Sequence, residues 1–310
     1  MTNALLDIDE LTNIFLVDSI KGFGPQKFKV LFEEGISLGD VLSRPREMQR
    51  FGKRGQEFIQ QIEAMGSNGR QIAHERARKQ LDAARATGGA ILSYSSPFYP
   101  QTLFESNLPV PALYARGDLT ALKSTRSVAC VGSRNIRAPY DRLHDAFSRL
   151  AVSEGFAIVS GFATGADIIG HLAAEDAKGG TICVMPSGLD RPFPPEHRDI
   201  WRRFVDQSGA AFVSEFGFGV GANALNLRKR NKMISGMALG VLVSQSAEDG
   251  GAMNAYRFAM EQKRPVATFE GDGTKETSGN DLIAGSAEWV KASVLPIREC
   301  QAWSTWLLSL

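Results

Sequence analysis

The chain of 310 residues has only three cysteines, Cys130, Cys183 and Cys300. They lie far apart, their number is odd, and two stand in apolar strand-like runs, so the sequence predicts neither disulfides nor a zinc site. Because the formal net charge is only +1, nucleic acid would be attracted only by a local patch of cations. The sequence has no apolar run long enough to span a bilayer and no signal-peptide pattern at its start. We therefore expect a cytoplasmic protein with no membrane partner.

Several catalytic and phosphate-binding motifs are also missing. No HExxH or Walker A pattern is present, and no GxGxxG fingerprint opens a helix. The serines Ser133, Ser160 and Ser187 lack the GxSxG context of a nucleophile elbow. Asp167 and His171 are four residues apart and could form an acid and base pair on one helix face, although such pairs more often have a structural role. The sequence offers a binding site more readily than a reaction, and we expect no catalytic residue, metal or cofactor.

The first part of the chain has a helical pattern from Leu11 to about Ala86 and shows no strand-like alternation. Within it, the stretch from Ile20 to Leu31 has a tight glycine turn between two amphipathic pieces, and Pro25 is placed for the first turn of the second helix. This pattern is typical of a helix-hairpin-helix, which often contacts the DNA backbone, although small helical domains use the same turn for packing alone. We predict a helical domain over residues 1–88, and both roles of the hairpin stay open.

After Gly88 and Gly89, short β-rich runs alternate with segments of helical pattern. This alternation predicts right-handed crossovers and a mostly parallel sheet that is covered by helices on both faces. The predicted fold is an α/β, extended Rossmann-like, doubly wound sheet over residues 89–287, followed by a strand and helix tail over residues 288–310. The expected strands are Ala90–Tyr94, Ala112–Arg116, Val128–Val131, Ala157–Val159, Thr181–Met185, Ala211–Ser214, Gly240–Val243, Val266–Phe269 and Trp289–Val294. The clearest expected helices are Tyr140–Ser153, Ile168–Ala177, Glu196–Gln207 and Ala252–Gln262.

Ligands of such sheets bind beyond the carboxyl ends of the strands, where four segments of this chain would converge. One is the turn after VACV, and another is the glycine-rich turn from Ser160 to His171, whose helix N-terminus can hold phosphate through backbone amides. A stiff loop from Met185 to Pro195 could form a wall of the site. The fourth segment leads from Glu215 to the run Leu227–Lys232, which has the densest cations in the chain. Cations beside such a turn indicate a polyanionic ligand, although each feature also occurs as ordinary structure.

Taken together, these segments resemble the DprA/Smf family of DNA-processing proteins. The resemblance runs from about Tyr99 to Ala287 and is carried by the ordered series YPQTL, LYARGDL, VACVGSR, SGFATGADIIGH, PSGLD, SEFGFG, RKRNKMISGM and SGNDLIAGSA. It implies an extended Rossmann fold that binds single-stranded DNA in a basic pocket, forms a homodimer and hands the strand to the RecA recombinase during natural transformation, without catalysis. Only a short tail follows Ala287, so the winged helix of many members has no counterpart in this sequence.

The cation run and the resemblance together imply a set of site residues. The expected nucleic-acid or phosphate contacts are Gly132, Ser133, Arg134, Ser160, Gly161, Thr164, Gly165, Arg228, Arg230, Asn231 and Lys232. Thr164 stands where the family usually has an arginine. Asp167 and His171 are expected to organise the second glycine loop, and Phe162 or Phe193 would supply base stacking.

Two other functions fit the same residues. Some divergent DprA-like proteins are antitoxin or sensor components of phage-defence modules, which would pair this chain with a toxin enzyme instead of RecA. The other alternative is a nucleotide- or nucleoside-phosphate-processing enzyme of a related Rossmann-like fold, although the Pro-Gly-Gly-x-Gly-Thr loop of those enzymes is missing. The first hypothesis remains a single-stranded-DNA-binding protein of the cytoplasm.

Overall fold

Helices and strands alternate along most of the chain in the computed structural model, which describes residues 6–286, 292–296 and 299–310. The strands are β1 (Gly89–Leu92), β2 (Leu113–Gly117), β3 (Ser127–Val131), β4 (Ala157–Ser160), β5 (Thr181–Val184), β6 (Ala210–Ser214), β7 (Gly240–Val243), β8 (Val266–Phe269) and β9 (Ala292–Leu295). The α-helices are α1 (Ile8–Asp18), α2 (Pro25–Glu33), α3 (Leu38–Ser43), α4 (Lys53–Glu63), α5 (Gly66–Thr87), α6 (Gln101–Glu105), α7 (Tyr140–Ser153), α8 (Ala166–Asp176), α9 (Arg198–Asp206), α10 (Ala224–Gly236), α11 (Ala252–Glu261), α12 (Ser278–Ala284) and α13 (Cys300–Leu308). Within the described ranges, none of these helices is long and apolar enough to cross a membrane.

The strands form one sheet in the order β1-β2-β6-β5-β4-β3-β7-β8-β9. β2 is antiparallel to both of its neighbours, and every other pair is parallel. From β3 the chain proceeds through β4, β5 and β6 on one side and then crosses to β7 on the other. The carboxyl ends of β3 and β7 therefore flank the point where the strand order reverses, which is where such sheets bind ligands. The predicted α/β, mostly parallel fold is confirmed.

Buried strands of continuous apolar sequence were located most accurately. β7 and β8 coincide with the predicted runs residue for residue, and α7 has the predicted bounds. The helix α9 begins at Arg198 rather than at Glu196, because Pro195–His197 forms a 3-10 turn ahead of it. The predicted strand at Trp289 begins outside the described residues, and β9 starts at Ala292.

Side chains alternate between the two faces of the sheet, as expected for strands that are buried on both sides. On β3, Val128 and Cys130 pack in a cluster with α7 and α13, whereas Ala129 and Val131 pack in a cluster with α10 and α11. Trp303 of α13 is only 1% exposed and covers the first of these faces. The result is a three-layer structure whose central strands are shielded from water, so ligands reach them only at their ends.

The amino-terminal helices pack against the sheet beside β1, β2 and β6. Leu11 and Phe15 of α1 belong to the same buried cluster as Tyr114 of β2 and Phe212 of β6. Gly88 ends α5 in the left-handed region at φ 67°, where glycine is favoured, and β1 begins at the next residue. The division of the chain at residues 88 and 89 into two domains stays a prediction.

The hairpin between α1 and α2 has the expected glycine turn and the expected proline. Pro25 is the first residue of α2, and Gly22 has a φ of 85°. Phe23 between them is buried, with its ring 5.2 Å from that of Phe28 and 5.4 Å from that of Phe58, both edge to face. The turn is therefore fixed by packing, and its contact with DNA remains a hypothesis.

Candidate nucleic-acid interface

A cleft of about 470 Å³ lies beyond the carboxyl ends of β3 and β7, at the reversal point of the strand order. Its walls are the loops that follow β3, β4 and β7, the first three turns of α10 and the first turn of α11. The sequence-predicted residues that line it are Gly132, Ser133, Arg134, Asp167, Arg228, Arg230 and Asn231. Three of the four predicted segments therefore converge at one place.

The two glycine loops of the cleft contact each other through backbone. A Cβ added at Gly165 would lie 2.4 Å from the Ser133 carbonyl oxygen, and this glycine also has a φ of 85°. A Cβ at Gly132 would lie 2.4 Å from Ser244 Oγ. The Ala166 amide donates to the Ser133 carbonyl at 3.1 Å. Glycine is required at both positions, and the N-terminus of α8 is held directly against the first loop.

Two exposed arginines supply the free positive charge of the cleft. Arg134 follows the first glycine loop, Arg228 lies in the second turn of α10, and neither forms an ion pair with a residue that the structure describes. Beside them, Asn231 Nδ2 donates to the Gly251 carbonyl at 3.3 Å, which joins α10 to the loop before α11. A guanidinium without a carboxylate partner can bind a phosphate in a bidentate manner.

Arg230, by contrast, points into the protein. Its side chain is nearly buried, and Nη1 donates to the Val184 carbonyl at 3.2 Å and lies 3.8 Å from Asp167 Oδ2. Burial lowers the pKa of the guanidinium, an effect that Asp167 opposes. Its Nε atom has no hydrogen-bond partner among the described residues. Consecutive residues of a helix point about 100° apart, so the run from Arg228 to Lys232 does not form the single positive patch that the sequence indicated.

Asp167 occupies the first turn of α8 and is 8% exposed. Its Oδ2 atom accepts the Ala163 amide at 3.3 Å, so the carboxylate lies within the turn that precedes the helix. Burial raises the pKa of this carboxyl, while the Arg230 guanidinium and the Ala163 amide act in the opposite direction. The negative charge in the cleft is therefore balanced from inside the protein rather than by a ligand.

His171 is fully buried one helical turn beyond Asp167. Its Nδ1 atom lies 2.6 Å from Thr181 Oγ1, and its ring contacts that of Phe162 with centroids 5.8 Å apart. Burial lowers the pKa of the imidazole to about 3, so it stays neutral. The pair that the sequence offered as acid and base is not hydrogen-bonded, since the histidine bonds to Thr181 on β5 instead.

Several other predicted residues do not line the cleft. Ser160 is buried and donates to the Cys130 carbonyl at 2.6 Å. Lys232 extends over the Phe258 ring, with Nζ 6.0 Å from its centroid. Thr164 is exposed on the turn before α8. Their roles in nucleic-acid binding remain predictions, as do those of Gly161 and Gly165, and the role of His171 in organising the loop also remains a prediction.

Two expectations about neighbouring loops were wrong. Phe162 is 0% exposed and packs edge to face against Phe212 at 5.1 Å, so it cannot stack on a base. The loop from Met185 to Pro195 does not line the cleft. It pairs instead with the loop after β6, where Asp190 Oδ1 accepts the Gly219 amide at 2.7 Å.

The wall that follows β7 was not among the four segments predicted from the sequence. Gly250, Gly251 and Asn254 line the cleft there. Asn280 is fully buried and holds this wall in place: its side chain accepts the Ser246 amide at 3.0 Å and donates to the carbonyls of Ser244 and Phe269 at 3.0 and 3.1 Å, in two further hydrogen bonds. The signal was available, because this loop follows the apolar run GVLV and so had to lie at a strand's carboxyl end.

Comparison with known proteins places these features in one family. The family model of DNA recombination-mediator protein A matches residues 90–299. This range contains all the residues that line the cleft. It also contains every described strand except the first residue of β1.

Curated relatives are similar over more than half of the chain. Protein Smf of Escherichia coli is 35% identical over 181 residues, which are 58% of this chain and 48% of that protein. Protein Smf of Synechocystis is 29% identical over 251 residues, covering 80% and 61% of the two chains. DNA processing protein DprA of Bacillus subtilis is 31% identical over 191 residues, covering 62% and 64%. The chain thus spans about half to two thirds of the length of these relatives.

Two solved structures share the fold. The chain superposes on DprA of Streptococcus pneumoniae with a TM-score of 0.68 and 24% identity, over 95% of each chain. It superposes on DNA processing protein A of Helicobacter pylori, a structure described for its single-stranded DNA binding mode, with a TM-score of 0.61 and 23% identity. That alignment covers 71% of this chain and 96% of the other.

Proposed function

The chain belongs to the DNA recombination-mediator protein A family, whose members include the DprA and Smf proteins, and from this premise we propose that it binds single-stranded DNA in the cleft. The observation that carries the proposal is the pair of exposed arginines, Arg134 and Arg228, which face one cleft without carboxylate partners. The solved relative from Helicobacter pylori is described as a single-stranded-DNA-binding protein.

The geometry suits a phosphate backbone. The N-terminus of α8 meets the cleft beside Ser133, and the N-terminus of α11 meets it at Gly251 and Ala252. Neither helix has a side-chain cap, and the amides of Asp167 in α8 and Ala252 in α11 make no hydrogen bond with a described residue, so these two amides are available to anionic oxygens. Helix amides would position phosphates and the two guanidinium groups would hold them by charge, which gives affinity without reading the base sequence.

We propose that the protein acts by binding and not by catalysis, in the cytoplasm, as a homodimer that hands the strand to a RecA-type recombinase. Family membership supports this role. In the cleft, the buried Asp167 is committed to the loop amide and to Arg230, and is not placed as a free acid or base.

A binding titration tests the proposal. Fluorescence anisotropy measures the binding of fluorescein-labelled oligo(dT) and of a duplex of the same length at two salt concentrations. dTMP is added as a competitor. We expect the single strand to bind best, with an affinity that falls as salt rises. Each phosphate contact on a single strand contributes a slope of about −0.7 in log K against log salt, so Arg134→Ala with Arg228→Ala should reduce the slope by about 1.4.

Lys178 offers a matched control, since it is exposed just before β5, at the amino ends of the parallel strands, whereas the cleft lies at their carboxyl ends. Lys178→Ala should leave both affinity and salt dependence unchanged. Unaltered oligonucleotide binding in the double arginine variant would refute the proposed site. If dTMP binds more tightly than the oligonucleotide does per nucleotide, a mononucleotide ligand would be favoured instead.

A further inference from the structure

A second concave surface, which we call the acidic groove, shares no lining residue with the DNA cleft. It measures about 530 Å³ and lies between α1, α2, α3 and the residues that follow β1. Its apolar base is formed by Ile14, Phe28, Leu31, Leu38 and Tyr94. This volume lies within the range of roughly 300–1,000 Å³ that is common for ligand pockets.

Among the residues that the structure describes, the charged groups of the groove are all negative. Asp7, Asp9 and Glu10 line it, and no described lysine or arginine does. The Asp7 carboxylate caps α1 by accepting the Glu10 amide at 2.7 Å. Asp9 and Glu10 lie in the first turn of α1 and form no ion pair with a residue that the structure describes, so the helix N-terminus offsets only part of their charge, which faces the groove or solvent. This field repels nucleic acid and favours a cationic partner.

The edge of the groove offers a large apolar contact. Phe32 of α2 is 44% exposed, although its ring also meets Tyr94 and Phe104 edge to face at 5.4 and 5.7 Å. Asn13 lines the groove, and its side-chain amide makes no hydrogen bond with a described residue. The surface thus combines an exposed aromatic ring, an apolar base and an unused polar group beside three carboxylates.

We propose that the acidic groove binds an amphipathic helix of a partner protein, with its apolar side chains on the base of the groove and its lysines or arginines beside Asp9 and Glu10. Such helix-in-groove binding depends on a few apolar anchors, and complementary charge determines the partner's identity and orientation. This inference does not rest on DNA binding. The chain would then have one surface that attracts anions, the cleft, and one that attracts cations, the acidic groove. A protein partner and a nucleic acid would therefore not compete.

The test uses a fluorescein-labelled, acetylated peptide with leucines at helical spacing on one face and lysines on the other, titrated into the full chain by anisotropy. Asp9→Lys with Glu10→Lys should weaken binding at least tenfold, and Phe32→Ser several-fold. The milder pair Asp9→Asn with Glu10→Gln should weaken binding by a smaller factor, and it tests the groove even if the reversed charges disturb α1. Glu57→Lys with Glu63→Lys is the matched control on α4, because both are exposed and outside the groove, and it should change binding less than twofold.

Several results would overturn the inference. Equal weakening by the α4 control would show unspecific attraction between the peptide and the acidic surface. Equal affinity for a peptide with glutamates in place of the lysines would show that charge does not determine binding. An unaltered affinity in Phe32→Ser would show that the exposed aromatic ring does not contribute to it. A concentration-dependent dimer that Phe32→Ser abolishes would assign the groove to a second copy of this chain. Weaker oligo(dT) binding in the groove variants would assign it to DNA, whereas unchanged oligo(dT) binding with weaker peptide binding supports the inference.

Discussion

Replacing Gly161 with alanine should destabilise the protein through a single steric conflict. A Cβ at this position would lie 1.3 Å from Nη1 and 2.2 Å from Cζ of Arg230, and 2.7 Å from Asp167 Oδ2. Carbon atoms in favourable non-bonded contact are about 3.5–4.0 Å apart, so the guanidinium must leave its position. The φ of Gly161 is outside the left-handed region, and alanine therefore suits the backbone itself.

The cost follows from what Arg230 would lose. Its Nη1 atom donates to the Val184 carbonyl at 3.2 Å and lies 3.8 Å from Asp167. A hydrogen bond from a charged group contributes about 1.5–3 kcal/mol, and removing one partner of a buried ion pair costs about 3–5 kcal/mol. Because burial already raises the pKa of Asp167, protonation can relieve part of the second cost. We expect a loss of about 3 kcal/mol in the free energy of unfolding.

Urea denaturation followed by circular dichroism measures this loss. Gly221→Ala is the matched control, since a Cβ there has no described neighbour within 4 Å and its φ is also outside the left-handed region. The control should change stability by less than about 1 kcal/mol. In the Arg230→Ala background, Gly161→Ala should cost much less than in the native chain, because the obstructing group is gone. Equal effects of the two glycine substitutions, or an undiminished cost without Arg230, would refute the reasoning.

Three further predictions concern other parts of the site. Burial of His144 on α7 lowers its pKa to about 4, so this residue is protonated in the unfolded chain before it is in the folded chain, and its contribution to stability should fall by up to about 3 kcal/mol between pH 6.5 and 4. The buried His171 acts in the same direction, so His144→Asn should reduce the dependence of the thermal midpoint on pH without abolishing it. Thr164→Arg should tighten oligo(dT) binding several-fold and steepen the salt slope by about 0.7, whereas Thr164→Gln should not. Asn280→Ala removes three hydrogen bonds and should lower stability by about 3 kcal/mol in urea denaturation, at about 1 kcal/mol for each bond.

The sheet could be predicted because its strands are apolar on both faces. Runs such as GVLV are apolar throughout, so locating them does not depend on an alternation of apolar and polar residues. Their ends are marked by glycine, serine or charged residues. The start of α8 was placed two residues late, at Ile168, because Ala166 and Asp167 contribute no apolar periodicity. Their helical state depends on the bond from the Ala166 amide to Ser133, which is a tertiary contact that local sequence does not encode.

The site was less predictable, because side-chain direction depends on contacts between distant segments. Phe162 lies in a glycine-rich turn, which suggested exposure, yet it is the centre of an aromatic cluster. For Arg230 a signal did exist. Met233 and Ile234 lie three and four residues later, mark the buried face of α10 and are almost fully inaccessible, so helical spacing places Arg230 on the same face.

The orientation of α10 changes the expected physics of binding. The sequence indicated four cations at the site, and four phosphate contacts on a single strand would give a salt slope of about −2.8. In the structure Arg230 is turned inward and Lys232 extends over Phe258, so among the described residues only Arg134 and Arg228 present free charge to the cleft. Two contacts give about −1.4, and the remaining affinity must come from the helix amides and from contacts that salt does not screen. A measured slope near −1.4 would therefore support the structural arrangement, and a slope near −2.8 would require Arg230 and Lys232 to turn toward the DNA on binding.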